Sequence, residues 1–252
     1  MNTQEALAQI GVTSESMSAE QRRALDDDGF FTVESYYSAD QLERVRATID
    51  ALQAMEGERG GHEVHTEAGA PRLSNVLNKS VDFDIFLTCK PLLAAARHVL
   101  GEIKVHGFNA RDALKGHGHQ QLHTDCPKIE PGDPFQVVNS LILIDAYTPG
   151  NGATRVVPGT HHRAERPQDT LPDPAAPYPG ESIVTAPAGS VVVINAHTWH
   201  GGTRNVSGDR RRVLHLSYTR RELPQQLVQR DYLTPGLYVR MSDAHRFLLD
   251  IH

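Results

Sequence analysis

Cysteine is nearly missing from this chain: 252 residues hold two, Cys89 and Cys126. That excludes a disulfide framework and makes a reducing cytoplasm the expected setting. Aromatic residues are also few, at 6%, within a hydrophobic fraction of 39%. These values are low for a packed enzyme but lie above the regime in which charge dominates and chains stay disordered. A chain of this length buries a sizeable core without covalent staples. No apolar run approaches bilayer length, and Met1 to Met17 is polar without an apolar stretch, so neither a membrane partner nor a secretory leader is expected. An excess of basic charge is lacking too: 25 Lys and Arg stand against 31 Asp and Glu, a net charge of −6, which argues against nucleic acid as a partner.

What is present divides into a helical part and a strand-rich part. Residues 1–17 are expected to be loosely held. Ser18 with Gln21 and Ser38 with Gln41 have the form of capping boxes, so helices should open at both places. The first should end near Asp28-Gly29. The second carries Leu42, Val45, Ile49 and Leu52 at helical spacing and should run to about Met55. Phe30 to Val33 reads as a strand between them, and Lys90-Pro91 opens a further helix closing at Leu100-Gly101. The stretch 56–71 is a loop rich in Gly, Glu and His, and its His62 and His65 are assigned to solvent or substrate contact.

From residue 103 the pattern changes. Strands are predicted at Ile103–Asn109, Val137–Tyr147, Ala153–Val157, Ser182–Ala186, Ser190–Ala196 and Arg212–Tyr218. Turn signals such as Pro131-Gly132-Asp133-Pro134, Pro149-Gly150-Asn151-Gly152 and Pro158-Gly159 divide them. Helices followed by closely spaced strands predict one mainly β domain with flanking helices: a helical buttress over 18–101, a barrel over 103–220 and a C-terminal extension over 221–252. Arg163 to Pro179 contains five prolines and no periodicity, which suggests a lid. The Gly57 to Gly69 loop would close on it from the other side.

Fourteen histidines offer many chance metal pairs. His123 and Asp125 are distinguished by alternation, because residues two apart on a strand project from one face. A third ligand is needed, and Thr198-Trp199-His200-Gly201-Gly202 supplies the best candidate. Two histidines and one carboxylate leave open positions on a non-haem iron. His197 competes with His200 but lies three positions earlier, on the other strand face. His161 and His162 follow a Pro-Gly turn and suit packing; His98, His106 and His245 are given no role. Cys126 has no base nearby and is taken as a bystander. Two other classes compete. His117-Gly118-His119 begins like a zinc hydrolase pattern, yet Gln121 stands where that pattern wants Asp. A non-catalytic barrel should show a damaged ligand set, and here the set is complete.

Four motifs taken in order resemble the phytanoyl-CoA dioxygenase-like branch of the iron(II)/2-oxoglutarate oxygenases. They are His123-Thr124-Asp125, the run Asn151 to His161, Trp199-His200-Gly201-Gly202, and Asn205 followed by Arg211. The resemblance spans about Asp27 to Tyr218. It implies a double-stranded β-helix, a cupin-like jelly-roll, with His123, Asp125 and His200 holding Fe(II) as the catalytic metal. It implies 2-oxoglutarate and O2 as cosubstrates, with Gln120, Thr154 and Asn75 touching the former. A planar guanidinium binds a carboxylate bidentately. Arg211 shares a face with Val213, His215 and Ser217, whereas Arg212 shares one with Leu214 and Leu216, and the family spacing selects Arg211 over Arg210 and Arg212. The implied reaction is hydroxylation of an aliphatic C–H bond of a small molecule with release of succinate and CO2, with desaturation or cyclisation as the alternative. Related halogenases replace the carboxylate ligand by a small residue; Asp125 is present here. No basic patch for a coenzyme A phosphate stands out, which points to a smaller substrate.

Overall fold

Residues 1–17, expected from sequence to be loosely held, are instead ordered onto the core. In the computed structural model, which describes every residue except Lys128, Ile129 and Pro131, α1 (Thr3–Ile10) opens with a capping box between Asn2 and Glu5. Ala6, Leu7 and Met17 are buried in the main core, and Thr3 Oγ1 accepts from the backbone N–H of Ile103 at 3.0 Å. Eight residues with two buried aliphatics are too short a pattern to read from sequence. The predicted turn at Pro131 lies partly outside the described residues.

The two serine-capped helices form as expected: α2 (Ala19–Asp27) and α3 (Ala39–Glu56) each carry a reciprocal Ser–Gln capping box. They are followed by α4 (Val76–Lys79), α5 (Lys90–Leu100), α6 (Pro167–Thr170), α7 (Pro235–Arg240) and α8 (Asp243–Leu249). The strands are β1 (Phe30–Val33), β2 (Arg72–Leu73), β3 (Ile103–Asp112), β4 (Val137–Leu143), β5 (Thr154–Val156), β6 (Ser182–Ile183), β7 (Val191–Asn195), β8 (His200–Gly202) and β9 (Arg212–Arg220). A six-stranded sheet runs β1-β7-β4-β9-β3-β2 and a three-stranded sheet runs β6-β5-β8, with all pairs antiparallel. Isolated antiparallel bridges also join His123 to His200, Tyr147 to Ala186 and Asn151 to Asn205. The two sheets face each other as a jelly-roll barrel.

Alternation along the strands decides what faces where. Leu214, Leu216 and Tyr218 of β9, with Val191 and Val193 of β7, join the core under the helices. Val213, with Leu141 and Leu143 of β4 and Val192 and Ile194 of β7, belongs to a second cluster inside the barrel. Each such side chain contributes about 1.5–3 kcal/mol on burial. The C-terminal extension belongs to the buttress, since Leu237, Phe247 and Leu248 lie in the same outer core. Among the described residues no helix is long and apolar enough to cross a membrane.

The lid expected over Arg163–Pro179 is corrected by the structure. Arg155, 3% exposed, sends its guanidinium to the carbonyls of Pro174, Ala175 and Ala176, at 2.8 to 3.3 Å. The Trp199 indole donates to Glu165 O at 3.2 Å, and Leu122 N–H donates to Pro174 O at 2.9 Å. The segment is tied to the barrel wall, and none of it lines the central cavity.

Candidate active site

The two histidines that sequence placed far apart are direct backbone partners. His123 N–H donates to His200 O at 2.9 Å, and His200 N–H donates to His123 O at 3.0 Å. The strand β8 that carries His200 was missed from sequence because it is three residues long and two of them are glycine. Those glycines have a packing reason: a Cβ on Gly201 would stand 2.8 Å from Gln121 O, and one on Gly202 would stand 2.4 Å from Gly118 O. Only bare backbone lets β8 approach the 118–123 segment this closely.

Each imidazole is oriented from behind. Nδ1 of His123 faces Gln121 O and Nδ1 of His200 faces Thr198 O, both at 2.9 Å. Carbonyls only accept, so both Nδ1 atoms carry the proton and both Nε2 lone pairs point at Asp125. The Nε2 atoms lie 3.6 and 3.5 Å from the two carboxylate oxygens, and one ligand atom from each of the three residues falls within 4.8 Å of the others. Burial would raise the Asp125 carboxyl, but when no metal is bound and the rings also take a proton at Nε2, the charge of His200 and hydrogen bonds from both histidines hold it well below the usual range; a metal ion replaces those Nε2 protons. Two neutral imidazole nitrogens and an ionised carboxylate fit a divalent iron.

Asn139 of β4 completes this arrangement, and sequence reading missed it. Its Nδ2 donates to Asp125 Oδ2 at 2.9 Å, fixing the carboxylate. No local motif marks it; only the pairing of distant segments brings it there. Replacing Asn139 by valine is expected to weaken iron binding about 10–100-fold, the effect of losing a partner that orients a ligand. Iron titration of the purified variant measures this.

His197 stands apart from the cluster: its Nε2 accepts from Gln136 N–H at 3.2 Å, and burial with the His161 charge lowers its pKa to about 4. His161 and His162 both bond Asp26 O. His117 and His119 join no metal-binding group among the described residues.

Arg211, 1% exposed, enters the same cavity of about 250 Å³. Its Nη2 donates to Thr154 Oγ1 at 3.2 Å, and its guanidinium lies 4.6 Å from the Tyr147 ring centroid. Nε and Nη1 are buried without a hydrogen-bond partner. Among the described residues no carboxylate bridges this cation, whereas Arg210 pairs with Asp50 and Asp112, and Arg212 with Asp50 and Asp145. Of three consecutive arginines, the middle one is buried and left with donors to spare. Gln120 also lines the cavity and accepts from Gly202 N–H at 3.1 Å. Asn75 does not line it. Its backbone is left-handed at the start of α4 and its side chain is engaged by Asn78 at 2.7 Å, which corrects the expectation of cosubstrate contact.

The loop 57–69 forms wall where a lid was expected. His65 lines the cavity, and Glu67 bridges Arg72 of β2 and Arg111 of β3, both lining it as well. His106, given no role from sequence, lines it too. Burial would raise Glu67, but hydrogen bonds and charge from Arg111 and Arg72 bring it from 4.5 down to about 2. The folded value lies below the unfolded one, so this stabilisation is full above pH 4.5 and is lost as pH falls toward 2. Glu67→Gln is therefore expected to be less stable than the wild type at neutral pH by about 1–2 kcal/mol, a figure reduced for solvent screening. The gap should close in acid. Urea unfolding midpoints across that window test it, and a pH-independent gap would contradict it.

A jelly-roll whose cavity holds two histidines, a carboxylate and a buried unpaired arginine defines a non-haem iron(II)/2-oxoglutarate-dependent dioxygenase, a class that works with dioxygen. The chain belongs to the phytanoyl-CoA dioxygenase (PhyH) family, whose sequence pattern matches residues 25–213. It is 28% identical over 228 residues to the ectoine dioxygenase of Bordetella parapertussis, covering 78% of this chain and 73% of that protein. Among solved structures it resembles EctD from S. alaskensis with bound Fe, at TM-score 0.69 and 22% identity over 85% of this chain and 82% of that one. It also resembles HygX from Streptomyces hygroscopicus with nickel and 2-oxoglutarate bound, at TM-score 0.63 and 16% identity over 83% and 89%.

Proposed function

We propose that His123, Asp125 and His200 hold the iron, that Arg211 with Thr154 takes the distal carboxylate of 2-oxoglutarate, and that the enzyme hydroxylates an aliphatic C–H bond of a small molecule. The observation that carries this reading is the Arg211 guanidinium, buried with two unpartnered nitrogens in the cavity that the three ligands line. A buried charge without a partner is costly, and a carboxylate presented to its planar fork removes that cost. Iron(II) with 2-oxoglutarate supplies, when bound, the oxidation of the C–H bond with loss of CO2 and succinate.

The residues around them bind, orient and exclude water. The Gln121 and Thr198 carbonyls keep the ligand tautomers, and Asn139 keeps the carboxylate in place. Thr154 steers Nη2 of Arg211 and leaves the other edges of the guanidinium to the cosubstrate. Gln120, held by Gly202 N–H, offers its amide nitrogen to the same ligand. Tyr147 and the barrel's inner aliphatic cluster keep water from the arginine. Anaerobic titration with iron(II) and 2-oxoglutarate, followed in the visible region for a weak charge-transfer band, tests the binding reading. Absence of the band at saturating cosubstrate would refute it. Succinate release across a panel of small molecules then tests turnover.

A further inference from the structure

The charges lining the cavity do not balance once metal and cosubstrate are counted, and the excess has a location. Arg72, Arg111 and Arg211 line the cavity, while Asp125 lines it and Glu67 braces it from behind. Asp112, near Arg211, is already paired with Arg210. His65, His106 and His215 add nothing, since burial holds them below their ordinary value, and His123 and His200 are counted as neutral ligands with the metal. Three cations against two carboxylates leave one positive charge. On the reading above, iron(II) adds two and 2-oxoglutarate removes two, so one positive charge still remains.

Strand register places that excess. Arg111 of β3 lies opposite Arg72 of β2 on one side and opposite Val213 of β9, two residues after Arg211, on the other. Arg111 therefore stands between Arg72 and Arg211, and Arg72, on the edge strand β2, lies on the side away from Arg211. Glu67 occupies Nε and Nη2 of Arg72, at 2.8 and 2.7 Å, and leaves Nη1 without a partner among the described residues. The wall beside it is polar as well. His106 Nδ1, Asn109 Oδ1 and His215 Nε2 are all buried, line the cavity by residue, and have no hydrogen-bond partner. Among the lining residues only Val137 and Leu141 are aliphatic, and none is Phe, Tyr or Trp. Such a wall is a poor host for an acyl chain and a good one for a hydrogen-bonding solute.

We propose that the substrate is a small polar molecule of net charge −1, its anionic group held on Arg72 and its neutral polar groups on His106, Asn109 and His215. The proposal rests on the reading of Arg211 as the cosubstrate anchor, and the test separates the two. Protein loaded with nickel(II) and 2-oxoglutarate is titrated calorimetrically with N-acetylglycine, N-acetyl-L-proline and L-pyroglutamate, each against its own carboxamide. At least one carboxylate is expected to bind about tenfold or more tighter than its amide, as a charge-assisted pair requires. Arg72→Gln should reduce that preference to about twofold or less, and Arg72→Lys should restore part of it. The 2-oxoglutarate affinity of every sample is measured first. Unchanged cosubstrate binding in Arg72→Gln shows that the variant is folded. Wild-type protein that fails to bind 2-oxoglutarate would refute the Arg211 reading and not the Arg72 one. Amides binding as tightly as acids, no carboxylate of the panel binding, or an undiminished preference in Arg72→Gln would each overturn the proposal.

Discussion

Asp125→Ala is expected to abolish iron loading and substrate oxidation together, with metal affinity falling by more than about 100-fold. Losing even an outer partner of a ligand costs 10–100-fold, and Asp125 is the only anion in the three-residue set. Its backbone N–H still donates to Ala196 O at 3.0 Å, so the segment should stay in place and the loss should be chemical. His197→Ala provides the contrast. That ring accepts from Gln136 N–H and joins no metal-binding group among the described residues, so iron binding should remain nearly intact while stability drops by about 1 kcal/mol. Iron titration with thermal unfolding on both variants reads the difference. If His197→Ala lost the metal and Asp125→Ala kept it, the ligand assignment would be wrong.

Two adjacent arginines should give opposite results. Arg211→Leu is expected to weaken 2-oxoglutarate binding by about 2–5 kcal/mol, because the cosubstrate carboxylate would be buried without its partner. The same change removes an unpaired buried cation, so thermal stability should hold or rise. Arg212→Leu should do the reverse. Its guanidinium makes three hydrogen bonds, counting the backbone N–H separately, to Asp145 and Asp50 at 2.8 to 3.0 Å. Breaking that largely buried pair should cost on the order of 3 kcal/mol of stability while 2-oxoglutarate affinity changes little. Isothermal titration and urea unfolding on the two proteins measure both axes. Equal effects on cosubstrate affinity would point to a diffuse basic cluster.

The parity that separates these arginines is why much of the site was legible beforehand. Strands have a period of two, so the faces of Arg211 and Arg212 follow from Val213, Leu214, His215 and Leu216 in the sequence. His123 and Asp125 were paired by the same rule, although the structure forms no strand there, only a single bridge at His123, and His200 was picked from its Trp-His-Gly-Gly setting. Asn139 was not, because its meaning lies in a partner on another segment. The Glu67 bridge between Arg72 and Arg111 was hidden for the same reason. Asn75 was misread because its left-handed backbone at the start of α4 and the hydrogen bond it accepts from the Asn78 side chain hold it against that helix. The proline-rich segment misled because composition reports what a loop lacks internally. It cannot report that a buried arginine on β5 will hold the loop's carbonyls.

The reciprocal backbone bonds between His123 and His200 have a thermodynamic consequence. They set the spacing of the two imidazoles proposed to hold iron through main chain, so the ordering entropy of the pair belongs to folding and not to metal uptake. A metal arriving at such a clamp selects a state the barrel already holds. Its binding energy then adds to the stability of a folded protein, rising with the logarithm of free metal once that exceeds the dissociation constant. This differs from small domains that have no fold until their ion arrives. Here chelation should lower the melting temperature yet leave a cooperative transition behind.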